Sequence, residues 1–263
     1  MIMTKYKYFE KNDVAYLKLE NDKVCLGKGE LSTSPENFVI QSKISNNYDF
    51  LFFMDSRGAK APKSSISSIM RLTKYLDEKK LSYLVISRPL NLTIFSTLLS
   101  FLENTTIKFK RVITNVGFVD TTPKKLDTLN DIRSQFNALG ITYMYQKLEN
   151  FKLSNGAIEE LGTLKINKNS IIDIANRLKQ INSELYFINT PEVSKNNSLE
   201  RKRPESFYHQ INKSNILIKD ISNRSNGRLI DVSKSGIHTF DGVHFTNSGH
   251  TIYSKKVLSV LNL

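Results

Sequence analysis

The chain has one cysteine, Cys25, in 263 residues. An internal disulfide and a thiolate metal cluster are therefore excluded. Its four histidines, His209, His238, His244 and His250, never fall into H-E-x-x-H or another zinc-binding spacing, so no metal is expected. Gly27-Lys-Gly29 lacks the remaining glycines of a dinucleotide loop and the Lys-Ser/Thr ending of a phosphate loop, and no cofactor is expected either. A G-x-S-x-G elbow is missing, which argues against an ordinary α/β-hydrolase. No apolar run is long enough to span a bilayer, and Met1-Ile-Met-Thr-Lys-Tyr-Lys is too polar for a signal segment, so the chain reads as cytoplasmic. Neither an internal repeat nor a low-complexity tract is present. Acidic residues are in the minority: 25 Asp and Glu face 38 Lys and Arg, for a net charge of +13.

That excess of positive charge raises the question of nucleic acid. A basic surface attracts phosphate backbones in a salt-dependent way. Here, however, the lysines are spread along the whole chain, and only Arg201-Lys-Arg203 and Lys124-Lys125 are compact. No recognised nucleic-acid motif occurs, so nucleic acid is not the expected partner. The same field would attract an acidic glycan, a nucleotide-sugar or an anionic membrane face.

What is present is an alternation of apolar runs and amphipathic segments. Phe50 to Met54 is a continuous apolar run, the pattern of a strand covered on both faces. Ser82–Ser87, Arg111–Asn115, Glu184–Asn189 and Leu229–Val232 read as further strands. Between them lie helical patterns. One has Ser64 as its cap and Ile66, Ile69, Met70, Thr73 and Leu76 on one face; others run over about Asn91–Leu102, Lys124–Leu139, Glu205–Ser222 and Asn247–Leu261. Alternating strands and helices predict a five-stranded parallel sheet between helices, in the flavodoxin-like order. Residues 1–49 read as a β-hairpin extension on this domain of 50–263, with Val14–Leu19 and Lys23–Leu26 flanking a turn. An insertion at about 140–182 holds Ile141, Tyr143 and Tyr145 in alternation, then a helix capped by Ser170.

Polar residues gather after the predicted strands: Ser56 in Asp55-Ser-Arg-Gly58, Arg88, the Asn115–Asp120 turn, Thr190, and Asp241-Gly-Val-His244. In a parallel sheet these ends line one edge, where open α/β folds bind ligands. A carboxylate three residues before an imidazole can fix its tautomer and leave the far nitrogen to take a proton from a nucleophile. His238 reads as a loop histidine, His250 as a helical packing residue, and His209 as solitary.

Met54-Asp55-Ser56, Gly117-Phe-Val-Asp120, Asp241-Gly-Val-His244 and the following Gly249-His250 together resemble the sequence blocks of the SGNH hydrolases, or GDSL esterases, over about Asp49 to Leu263. The resemblance implies a three-layer α/β/α sandwich with Ser56 as nucleophile, His244 as base and Asp241 as its orienting carboxylate. It departs from the family at three points. The first-block glycine is Met54, the third-block asparagine is Val119, and the second-block glycine has no counterpart in Ser87-Arg-Pro-Leu-Asn91. Substitute oxyanion donors would be Asn115, Asn91, or the main-chain N–H groups of Ser56 and Gly117. Arg57 and Arg88 would flank the crevice and could hold an acidic sugar or phosphate through bidentate hydrogen bonds. Gly117-x-Val-Asp-x-x-Pro-Lys124 is similar to a variant third block in SGNH-like proteins of bacterial surface-polysaccharide loci. The resemblance thus implies an esterase acting on carbohydrate O-acyl groups, O-acetyl above all. An acyltransferase with the same residues, or a binding protein without chemistry, remain as alternatives.

Overall fold

In the computed structural model, residues 7–11, 14–19, 22–28, 38–43, 45–58, 66–87, 94–153, 155–193, 199–200 and 202–263 are described, the first forty by backbone alone. The chain opens with β1 (Lys7–Lys11), β2 (Val14–Leu19), β3 (Asp22–Lys28) and β4 (Phe38–Gln41), followed by β5 (Asn47–Met54), α1 (Ser68–Glu78), β6 (Tyr83–Ser87), α2 (Phe95–Asn104) and β7 (Lys108–Thr114). A short α3 (Phe118–Thr121), β8 (Lys124–Lys125), α4 (Leu126–Ala138), β9 (Tyr143–Lys152), β10 (Ile158–Ile166) and α5 (Lys168–Lys179) come next. The chain ends with β11 (Glu184–Ile188), α6 (Glu205–Arg224), β12 (Arg228–Ile230) and α7 (Asn247–Val260).

The sheet order is β1-β2-β3-β4-β6-β5-β7-β11-β12. Its right-hand five strands, β6-β5-β7-β11-β12, are all parallel. This is the flavodoxin-like order, with the first core strand, β5, between the second and the third. β4 joins β6 antiparallel, and β1, β2 and β3 form a meander that continues the sheet beyond it. β1 to β4 therefore extend the same sheet.

Side-chain alternation on β5 divides the core. Leu51 and Phe53 face α2, α4, α5 and α6, whereas Phe50, Phe52 and Met54 face α1 and α7. Every one of these five is at most 2% exposed. Burying each contributes roughly 1.5–3 kcal/mol, and only a sheet covered on both faces allows an unbroken apolar run. The three-layer α/β/α sandwich follows directly.

Several boundaries differ from the sequence pattern. Ser64 lies outside the described residues; α1 is capped by Ser67, whose side chain accepts from the Met70 N–H, and Ile66 precedes it, 40% exposed. Lys124 and Lys125 do not start α4 but pair with Leu161 and Gly162 of β10. The insertion is a hairpin of β9 and β10 followed by α5, whose cap is Asn167 and not Ser170; the Ser170 N–H donates to Asn167 Oδ1 instead.

The two helices on the Phe50, Phe52 and Met54 face, α1 and α7, are joined by a histidine. His250 on α7 is fully buried, and its Nδ1 accepts from the Ser68 N–H at 3.0 Å, at the first turn of α1. An N–H donor makes Nδ1 the acceptor, so the ring is neutral with its proton on Nε2. Burial, with the nearby positive charge of Arg71 adding to it, pushes His250 down from 6.5 to about 4. A depressed histidine gives stability that is complete above pH 6.5 and is lost as pH falls toward 4, because only the unfolded chain takes up the proton. At 1.36 kcal/mol per pH unit the loss is about 3 kcal/mol. Urea unfolding at pH 7 and pH 4 should therefore show the wild type losing about that much more stability on acidification than His250→Gln. Parallel losses in the two proteins would remove His250 from the account.

Candidate active site

The strand ends after β5, β7, β11 and β12 meet at one edge, and the turn that carries Ser56 is built there first. The Gly58 N–H donates to Asp55 O and the Arg57 N–H to Asp55 Oδ1, closing a tight turn around Ser56. Short side chains that accept from the backbone two residues on favour this geometry. Arg57 then turns inward. Its guanidinium is bound to both oxygens of Asp55, donates to Thr190 Oγ1 at 2.6 Å and to Asn115 O at 2.7 Å, and packs over the Phe118 ring. With Arg57 1% exposed, these contacts correct its expected role. It cannot reach a substrate, because its donors are occupied by protein in a closed interior.

Two expected oxyanion donors are likewise engaged. The Asn115 side chain is fully buried; its oxygen accepts from the Asp55 N–H and its nitrogen donates to Asp55 Oδ1, both at 2.8 Å. The Gly117 N–H donates to Asp120 Oδ2 at 2.8 Å. Gly117 itself has φ +108°, and a Cβ there would lie 2.5 Å from Ile218 Cγ1, so glycine is required by conformation and by space. Asp120 also accepts from the Phe95 N–H, and burial pushes its carboxyl up to about 7 against those hydrogen bonds and the Lys124 charge. Val119 packs against apolar neighbours. Arg88 and Asn91 lie outside the described residues. Among the described residues the Ser56 N–H has no acceptor, and it remains the one predicted main-chain donor free to meet an oxyanion.

The acid–base loop is a miniature hairpin. Thr239 and Phe245 form an antiparallel bridge, Phe240 N–H donates to His244 O, and Thr246 N–H to His238 O. Asp241 to His244 form its tip, where Gly242 adopts φ +82°. Asp241 Oδ1 accepts from the N–H groups of Val243 and His244 at 3.0 and 2.8 Å. Asp241 Oδ2 lies 2.8 Å from His244 Nδ1, and His244 Nε2 lies 3.2 Å from Ser56 Oγ. Burial opposes the charge on Asp241, but hydrogen bonds from the His244 ring and N–H outweigh it and hold the carboxyl well below its usual range. An ionised carboxylate on Nδ1 places the imidazole proton there. Nε2 is thereby the acceptor, aimed at the serine hydroxyl.

Ser56, His244 and Asp241 thus come together as the spacing predicts, although 188 residues separate the serine from the histidine. One site residue escaped the sequence reading. Arg203, read there only as part of a basic cluster, donates from Nε to Asp241 O at 2.7 Å and from Nη2 to Asp241 Oδ2 at 3.1 Å. No local signal could have linked positions 38 residues apart. Thr190 is a structural anchor, exchanging main-chain hydrogen bonds with the Asn215 amide on α6. A cavity of about 640 Å³ lies at the opposite edge of the sheet, near the starts of β5 and β7, and includes none of these groups.

No protein-family model matches the sequence, and no curated protein does. Among solved structures, an acetyl xylan esterase is 15% identical, with 81% of this chain and 98% of that chain covered at a TM-score of 0.46. A GDSL-like lipase from Bacteroides thetaiotaomicron gives 12%, 81%, 88% and 0.45. Est24, a carbohydrate acetylesterase from Sinorhizobium meliloti, gives 11%, 81%, 97% and 0.45. The chain is similar to GDSL-like esterases and lipases. At these identities and scores the similarity assigns no activity, and the chemistry rests on the site.

The buried Arg57–Asp55 pair gives a direct test. Arg57→Met leaves an uncompensated carboxylate among closed neighbours and should cost about 3–5 kcal/mol in urea unfolding. A loss below 1 kcal/mol would show that the pair does not hold the turn.

Proposed function

We propose that the protein is a serine esterase of the SGNH type, with Ser56 as nucleophile, His244 as general base and Asp241 as the carboxylate that orients it. The observation that carries this reading is the continuous chain from Asp241 Oδ2 through the His244 ring to Ser56 Oγ, at 2.8 and 3.2 Å. As Ser56 Oγ attacks an ester carbonyl, His244 Nε2 takes the hydroxyl proton and Asp241 stabilises the imidazolium. The Ser56 N–H faces the oxygen that gains negative charge. His244 then returns the proton to the leaving alcohol, and water, activated in the same way, releases the acid.

The narrower substrate class we propose is O-acyl, chiefly O-acetyl, carbohydrate. It is supported by the block resemblance and by a net charge of +13, which favours an acidic polymer. Acyl transfer to a sugar hydroxyl in place of water uses the same three residues. A second reading, a binding protein without chemistry, is favoured by one set of observations: the Gly117 N–H is held by Asp120, the Asn115 amide by Asp55, and the Val119 side chain carries no donor. Losing one oxyanion donor typically costs about 2.7–4 kcal/mol of transition-state stabilisation.

Hydrolysis of p-nitrophenyl acetate and of acetylated sugars by the pure protein separates these readings. For an esterase, Asp241→Asn should lower kcat about 10⁴-fold. Ser56→Ala and His244→Ala should each fall to background, with the double variant no lower, because the residues act as a unit. Equal rates in wild type and Ser56→Ala would favour the binding protein.

A further inference from the structure

The carboxylate that faces His244 also has a cationic partner that a serine–histidine–aspartate arrangement does not require. Arg203 lies just before α6, with 11% of its side chain exposed, against an Asp241 side chain at 10%. Its fork grips Asp241 twice, at the main-chain oxygen and at Oδ2, the same oxygen that faces His244 Nδ1. The guanidinium lies 4.9 Å over the Phe207 ring. The neighbouring Glu200 N–H donates to Phe240 O, and a Cβ on Gly242 would lie within about 3.3 Å of Leu199 and Phe207 side chains. The segment before α6 and the first turn of that helix therefore clasp the acid–base loop from outside, through main chain and side chain together.

We propose that Arg203 is a positioning residue: it fixes the Asp241 carboxylate toward His244 and shares that carboxylate's negative charge. This rests on the reading of Ser56, His244 and Asp241 as a working triad. The two effects have separable signs. Two contacts to one residue, at a main-chain and a side-chain oxygen, leave the carboxylate a single orientation, which raises the fraction of molecules ready to react. A cation on Oδ2 weakens the field that favours imidazolium, so its removal makes protonation of His244 easier. Beyond Asp241, the ring faces the neutral Ser56 hydroxyl after β5, and it interacts electrostatically with His250 on α7, which also feels Arg71 of α1. Phe240, stacked at 5.9 Å, contributes no charge.

The test compares wild type, Arg203→Met and Arg203→Lys by two readouts. The first follows the His244 imidazole C–H signals by NMR through pH, and needs no turnover. The second is the pH profile of kcat and KM on p-nitrophenyl acetate. Arg203→Met should move the His244 titration midpoint, and the acid limb of the rate profile, upward by about one pH unit. Its kcat should fall by about 10–100-fold with KM little changed. Arg203→Lys keeps the charge but loses the fork, so its midpoint should stay with the wild type while kcat falls part of the way. A folded Arg203→Met with the wild-type midpoint and kcat overturns the proposal. Should Arg203→Met not fold, an Arg203→Lys protein with wild-type kcat overturns it instead. A wild type that hydrolyses no ester counts against the esterase reading alone, because the NMR comparison still decides what Arg203 does.

Discussion

A buried ion pair between neighbours in sequence, Asp55 and Arg57, organises the reactive edge of this molecule. Burying two charges is unfavourable unless every donor and acceptor finds a partner, and here the partners come from the two neighbouring strand ends. Asn115 after β7 offers its amide to Asp55 and its carbonyl to Arg57. Thr190 after β11 accepts from Arg57, and Thr190 is in turn fixed by Asn215 on α6. The pair cannot be satisfied unless β5, β7 and β11 end in register. Ser56 lies between its two members, so the hydrogen bonds that close the sheet edge also fix Ser56.

The other half of the site is carried by a separate loop and touches the first directly through His244 and Ser56. The hairpin that carries Asp241 and His244 depends on its own main-chain bonds, on Arg203, and on the packing of Phe207 beneath Gly242. His250, one turn into the helix that follows, anchors α7 to the amino end of α1. Since α1 begins shortly after the Ser56 turn, the two halves are linked twice: directly through His244 and Ser56, and indirectly through His250 and Ser68. This double link accounts for a neutral, fully buried histidine so close to His244.

Much of this architecture can be read from the chain because it follows from short-range pattern. An unbroken run such as Phe50–Met54 fits only a strand covered on both faces, and strands separated by amphipathic helices admit few topologies. Asp241 and His244 lie within one turn of each other, so their contact is nearly local. Ser56 is placed by its strand. The expected roles of Arg57, Asn115 and Gly117 fail for one shared physical reason. Each has the right donor, but a closer carboxylate, Asp55 or Asp120, captures it in the interior, and composition does not reveal which of two acceptors is nearer. Arg203 and Ser68 are invisible from the opposite cause. Their partners lie 38 and 182 residues away, and no periodicity spans such distances. The boundary between α3, β8 and α4 depends on pairing with β10, which a helical pattern at Lys124 cannot foresee.

The central claim is that Ser56 is a nucleophile activated by His244, and covalent trapping tests it without knowledge of the natural substrate. The protein would be incubated with a fluorophosphonate, which reacts with activated serines, and the adduct located by mass spectrometry of its peptides. The account predicts one adduct, on Ser56, formed by the wild type and not by His244→Ala. No adduct on a folded wild-type protein, or an adduct on another residue with Ser56 unmodified, would contradict it.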